Sequence, residues 1–136
     1  MIQLSSSHVP CTHTAQQARS IPDMLRLQAQ RNPHKPALYS RKDGRWQAMT
    51  WGGFLHAALQ VAAGLRALDL GRGDRVAIVG PTQAPWAIYD QGAQIAGLAP
   101  LGVYPQQTVE QIRYLLSHSE ARVVFVGDPD ELERVL

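Results

Sequence analysis

The chain has 136 residues, of which 45% are hydrophobic and 18% charged, with a formal net charge of +2 and one cysteine, Cys11. That length allows one domain with a real core, and the composition is that of a folded chain rather than a disordered one. The small cationic excess excludes the dense basic face that nucleic acid requires, the lone cysteine excludes an internal disulfide framework, and no apolar run is long enough to cross a bilayer.

Residues 1–19 are rich in Ser, Thr, Gln and His and lack periodicity, which predicts a disordered tail ahead of a folded unit over 20–136. No basic residue precedes an apolar run there, so a secretory signal is not expected. Together with the single cysteine this predicts a reducing, cytoplasmic setting. His8, Cys11 and His13 lie close together, but structural zinc needs a fourth ligand and a rigid frame, so no metal site is assigned.

Ser20-Ile21-Pro22-Asp23 predicts a helix start, with Ser20 as cap, Pro22 in the first turn and Asp23 closing a capping box. Met24, Leu25, Leu27 and Ala29 supply its apolar face, and Asn32-Pro33 ends it. Pro36–Ser40 and Arg45–Met49 flank Lys42-Asp43-Gly44, the pattern of a β-hairpin. Arg31, Lys35, Arg41, Lys42 and Arg45 make this the most basic part of the chain. Such a cluster is either an anion-binding or membrane-facing patch or a guard against edge-to-edge pairing. Without a phosphate loop or interleaved aromatics the guard is the expected role.

A long helix is predicted from Thr50 to about Leu70, with Phe54, Ala58, Val61, Ala62, Leu65 and Leu68 on one face and Gly64 allowing close approach. Gly71-Arg72-Gly73-Asp74 follows a helix and opens a strand. Glycines that cradle phosphate do the reverse, so this pair reads as a helix end and turn.

Three apolar runs come next: Val76–Val79, Leu101–Tyr104 and Val123–Val126. The outer two carry no polar residue, so both of their faces should be buried, as in a parallel sheet covered by helices. The segments between them have the length of crossover helices. The fold class is therefore α/β: a three-layer, mostly parallel β-α-β-α-β core preceded by a helix, a β-hairpin and a long helix. Gly80-Pro81-Thr82-Gln83 leaves the first core strand at its carboxyl end, where ligands bind in open α/β sheets, although a simple helix start capped by Thr82 is the plainer reading.

Trp86, Ile88, Tyr89, Ala93, Ile95 and Ala96 mark a helix over about Ala84 to Leu98, its aromatics read as packing residues. Thr108–Gln111 predicts a second capping box, with Ile112, Leu115 and Leu116 facing inward. His118, near that helix's end, is a dipole partner or a surface imidazole, with no nucleophile or carboxylate assigned to it. The final Asp128–Leu136 begins a helix with acids in its first turn, and Leu132, Val135 and Leu136 form an apolar side that expects a partner.

The order of these pieces resembles the opening of AMP-forming acyl-CoA synthetases. The likeness is carried by Ile21-Pro22, Pro36-Ala37-Leu38, Trp46 before Met49-Thr50-Trp51, Ala63-Gly64-Leu65, Gly73–Ile78 and Trp86. Tyr104-Pro105 followed by Thr108–Leu116 is similar to the long-chain fatty-acid branch. Departures are Thr82-Gln83-Ala84-Pro85 where many members have asparagine before the tryptophan, Trp51 for tyrosine, and Gln106-Gln107 for small hydroxyl residues. The resemblance implies an N-terminal portion of a larger synthetase-like domain, in an enzyme that forms an acyl-adenylate from ATP and then an acyl-CoA. It implies ATP, Mg²⁺ and coenzyme A for that whole enzyme and the remainder of the synthetase chain as partner. The phosphate loop, the later acidic and aromatic motifs and the C-terminal lysine of such enzymes are not in this sequence, so no catalytic, cofactor-binding or metal residue is assigned. The alternatives are a stand-alone flavodoxin-like nucleotide-binding module or an oligomerisation module pairing through exposed apolar helices. Contact with nucleic acid is not expected; peripheral membrane contact remains an open expectation.

Overall fold

The computed structural model describes residues 18–136. The elements run α1 (Ile21–Arg31), β1 (Pro36–Lys42), β2 (Arg45–Thr50), α2 (Trp51–Arg66), β3 (Arg75–Val79), α3 (Ala84–Ala96), β4 (Ala99–Val103), α4 (Val109–Ser119), β5 (Val123–Val126) and α5 (Pro129–Val135). The tail and its His8, Cys11 and His13 lie outside the described residues.

Strands β3, β4 and β5 form a parallel sheet in the order β4-β3-β5, so β3 is central. Val76, Ala77, Ile78 and Val79 are all buried, because helices cover both of its faces. Val76 packs with Leu65 of α2 and Ala93 of α3, while Ala77 and Val79 pack with Ile112 of α4, and Val135 of α5 joins them. This is the expected three-layer arrangement: α2 and α3, the sheet, then α4 and α5. The expectation that Val123–Val126 is sealed on both faces needs correction. Those residues are only half-buried, because β5 is an edge strand among the described residues. Strand β4 also starts earlier than its apolar run and stops at Val103, leaving Tyr104 exposed.

Close contact between α2 and α3 depends on Gly92. A Cβ there would lie 2.5 Å from Val61 Cγ1 and 3.0 Å from the Ala58 carbonyl oxygen. Gly64, expected to provide close approach, has nothing within 4 Å of its would-be Cβ and faces outward. Helix α2 ends at Arg66, and Leu68, expected on the buried face, lies beyond it and is exposed.

A third cluster joins the leading elements to this core: Leu25 of α1, Phe54 and Ala58 of α2, with Leu38, Met49, Ala87 and Ile88 around them. The hairpin turns through two residues, Asp43 (φ 50°) and Gly44 (φ 75°), the left-handed pair that suits strand twist. Lys42 therefore belongs to β1, paired with Arg45, and not to the loop.

Caps follow the sequence with one change. Ser20 Oγ accepts from the Asp23 N–H at 3.2 Å, but the Asp23 carboxylate accepts from the Arg19 N–H at 3.1 Å instead of closing the box on Ser20. The Thr108–Gln111 box closes both ways, at 2.9 and 3.3 Å. At the amino ends of the strands, Asp74 accepts from Arg122 at 2.7 Å and from the Gly71 N–H at 2.8 Å. Arg75 donates to the Ser119 carbonyl at 2.7 Å and pairs with Glu120.

Two outcomes follow from this packing. Gly92→Ala should lower stability by about 1–3 kcal/mol through overpacking, read as an earlier urea midpoint. The Arg122 hydrogen bond and the Gly71 N–H hold the Asp74 carboxyl below its ordinary value of 3.8. A depressed folded-state pKa stabilises fully above the unfolded value, and that contribution fades as pH falls through the folded value. Thermal melts of wild type and Asp74→Asn should therefore differ at neutral pH and converge in strong acid.

Candidate functional site

The strand order creates a crevice. Helix α3 leaves β3 toward one face of the sheet, and α5 leaves the neighbouring β5 toward the other. The loops after two adjacent strands therefore diverge at their carboxyl ends, the position where open α/β sheets accept ligands.

Gly80, Pro81, Gln83, Trp86, Tyr89 and Gly127 line a cavity of about 130 Å³ at this point. A second cavity of about 240 Å³ lies beside it, lined by Gly80, Thr82, Trp86, Gly102, Val103 and Tyr104. Trp86 is common to both, and its indole lies over the β4 backbone. A Cβ on Gly102 would come within 3.0 Å of Trp86 Cζ2. Tyr89 stacks on Phe125 of β5, with ring centroids 4.2 Å apart and planes 2° from parallel.

Glu131 closes the far side. It is buried, and its Oε2 accepts from the Gly127 N–H at 2.7 Å, a proton shared with the Val79 carbonyl at 3.1 Å. A Cβ at Gly127 would lie 2.8 Å from that same oxygen. Asp128 Oδ1 caps α5 by accepting from the Glu131 N–H at 2.8 Å. Arg134, one turn further on, donates to the carbonyls of Pro105 and Gln107 and ties α5 to the β4–α4 loop.

The lining of both cavities is aromatic and uncharged, and the Glu131 carboxylate behind it is held by the Gly127 N–H. No lysine, arginine or carboxylate is among the residues lining either cavity. No group of three or more His, Cys, Asp or Glu able to hold a metal ion occurs among the described residues. The arrangement can hold a flat or apolar group against Trp86, with Thr82, Gln83 and Tyr104 as polar contacts. It contains no general base, no activated nucleophile and no triphosphate clamp.

Thr82 does not cap α3 as expected. Gln83 occupies the cap position and makes no side-chain bond, and Thr82 faces the second cavity. His118 is exposed in the last turn of α4 and stacks on Tyr114 at 5.4 Å, which fits the surface reading. Gly73 turns the chain at φ +86°, at the end of the sheet remote from the crevice. Arg41, Lys42 and Arg45 are exposed on the hairpin, and Tyr39 and Trp46 are exposed with them. That corrects the reading that these cations lack aromatic company.

The sequence reading passed over Gly127, Glu131 and Arg134, and treated Tyr89 only as packing. One signal was available: Val79-Gly80 and Val126-Gly127 both end an apolar run with glycine.

A roomier concavity, about 710 Å³, lies elsewhere, between α1, α2 and the end of α3. It opens at the amino ends of the strands, and Arg26 on its rim is paired with Asp23 at 2.7 Å.

Comparison with known proteins gives one coherent result. The family model described as AMP-binding enzyme matches residues 25–136. The chain is 28% identical over 117 residues to the long-chain-fatty-acid–CoA ligase ACSBG2 of Homo sapiens, covering 86% of this chain and 18% of that protein. It is 30% identical over 118 residues to the long-chain-fatty-acid–CoA ligase FadD15 of Mycobacterium tuberculosis, covering 86% of this chain and 20% of that one. Among solved structures, a fatty acyl-adenylate ligase from L. pneumophila, in complex with acyl adenylate and pyrophosphate, superposes with a TM-score of 0.80 at 22% identity. That match covers 92% of this chain and 22% of that one, and it shows the fold. The chain thus spans about a fifth of the length of these relatives.

Gly127→Ala should cost about 1–3 kcal/mol, because the new methyl meets the Glu131 carboxylate. Truncating Glu131 to Ala in the same chain should recover part of that loss. A double-mutant cycle on urea midpoints should give a coupling on the order of 1 kcal/mol.

Proposed function

The chain belongs to the AMP-binding enzyme family, and we propose that it is the scaffold-forming N-terminal part of an ATP-dependent long-chain fatty-acid–CoA ligase. It matches the N-terminal region of such ligases. In the whole enzyme the fatty-acid carboxylate attacks the α-phosphate of ATP, releasing pyrophosphate, and the coenzyme A thiol then displaces AMP from the acyl-adenylate. Neutralising phosphate charge in the first step requires cationic donors and Mg²⁺.

The observation that carries this reading is the pairing of a built crevice with an absence of charge in it. The lining of Trp86, Tyr89, Gly80 and Gly127 offers a wall and no phosphate-binding group. ATP, Mg²⁺ and coenzyme A do not fit the described residues as a binding set, since the cavity linings carry no charged group. The role of this part is to hold the sheet, the crevice and the aromatic wall in place. The reactive groups belong to the rest of the ligase. A stand-alone nucleotide-binding module is not favoured, because the loops in the right position carry no phosphate chemistry.

On this proposal the remainder of the ligase is the partner, packing on Leu132 and Leu136, which are exposed on and beside α5. Val135 is already engaged with the core cluster on its side of the sheet. Among the described residues no helix is long and apolar enough to cross a membrane. The cytoplasmic setting is part of the proposal and rests on the single cysteine.

The test is release of pyrophosphate from ATP and Mg²⁺ in response to palmitate. The full-length protein should show it, and residues 1–136 alone should not. Fatty-acid-dependent release by residues 1–136, or its absence from the full-length protein across long-chain acids, would overturn the reading.

A further inference from the structure

The hairpin has two unlike faces. Side chains of opposed residues in an antiparallel pair share a face, and alternate residues along each strand switch sides. Leu38 is opposite Met49, and both pack into the cluster around Leu25 and Phe54. Tyr39 is opposite Ala48 and Arg41 is opposite Trp46, so these four make the outward face. Trp46 is 71% exposed and Tyr39 is 62% exposed. Every residue from Arg41 to Ala48 is exposed, so the distal half of the hairpin stands clear of the body.

Charge is concentrated at the same place. Lys35, Arg41, Lys42 and Arg45 lie on or next to the hairpin, and Asp43 is the one acid between Asp23 and Asp69. None of these four cations forms an ion pair among the described residues. Protection of an edge strand accounts for the cations. It does not account for a tryptophan and a tyrosine left in water beside Arg41, with Lys42 and Arg45 next to them at the turn, since such residues promote the very association that charges prevent.

Two amphipathic aromatics at a cationic hairpin tip is the composition that settles at a bilayer's headgroup level. Trp and Tyr place their rings among the headgroups, and Lys and Arg are drawn to anionic lipid. We propose that the β1–β2 hairpin docks on an anionic phospholipid bilayer, with Trp46 and Tyr39 entering the headgroup layer and Arg41, Lys42 and Arg45 binding the lipid phosphates. The contact is peripheral and reversible, since it is made by one hairpin and not by a membrane span. It stands apart from the ligase reading, because no hairpin residue lines either crevice cavity and its assay reads no catalysis.

The experiment is co-sedimentation of the full-length protein with phosphatidylcholine vesicles, with and without phosphatidylglycerol. Binding should require phosphatidylglycerol and be released by high salt. The pair Arg41→Glu and Arg45→Glu should weaken it at least about tenfold, since each cation near the surface contributes measurably. Trp46→Ala should also weaken it, and Arg113→Glu on α4 should not. Quenching by brominated lipid, taken as the difference between wild type and Trp46→Phe, gives a second readout that leaves an aromatic ring in place. All these side chains are exposed, so melting curves should be unchanged. Equal binding to neutral vesicles overturns the proposal, as does binding insensitive to the hairpin variants or no binding at all. So does loss of self-association in the same variants without any effect on vesicles, which would make the face an interface between copies.

Discussion

Burial of β3 from Val76 to Val79 is the constraint from which the rest of the architecture follows. Four successive apolar residues, Val76 to Val79, are hidden on both faces of the sheet. A strand in that position needs a helical layer on each side, and parallel neighbours need crossovers to reach it. The chain meets both needs by sending α3 across one face and α4 across the other. Because the two crossovers lie on opposite faces, the sheet must switch direction beside β3, and the crevice is the gap left by that switch.

Much of this was legible because local signals agreed with the tertiary outcome. The caps at Ser20, Thr50 and Thr108 are made as the sequence predicts. The crossover lengths and apolar runs gave the layers. What the sequence could not supply was the identity of strand neighbours. A run such as Val123–Val126 reads the same at the centre of a sheet as at its edge, and only pairing reveals which it is. Close approach was misassigned for a similar reason. Gly64 and Gly92 both sit in helical patterns, yet only Gly92 faces another helix.

The candidate site was less legible, because its residues come from three loops brought together by strand order. Gly80 was visible as a loop in the right place, whereas Gly127 and Glu131 have meaning only once β5 lies next to β3. The hairpin gives a different lesson. Tyr39 and Trp46 were visible in sequence, but their sharing a face with Arg41 depends on a register set by the two-residue turn. Charge is also divided between the ends of the sheet. Asp74, Arg75, Glu120 and Arg122 are paired at the amino ends. At the carboxyl ends, where the crevice lies, the charged groups Glu131, Asp128 and Arg134 bind backbone groups instead of one another.

Arg134 has a mechanical consequence. Its guanidinium holds the Pro105 and Gln107 carbonyls while its backbone belongs to α5. The β4–α4 loop and α5 are thereby bolted into one jaw. Swinging either part alone breaks those hydrogen bonds, so a displacement of α5 is felt at the loop that leads into α4.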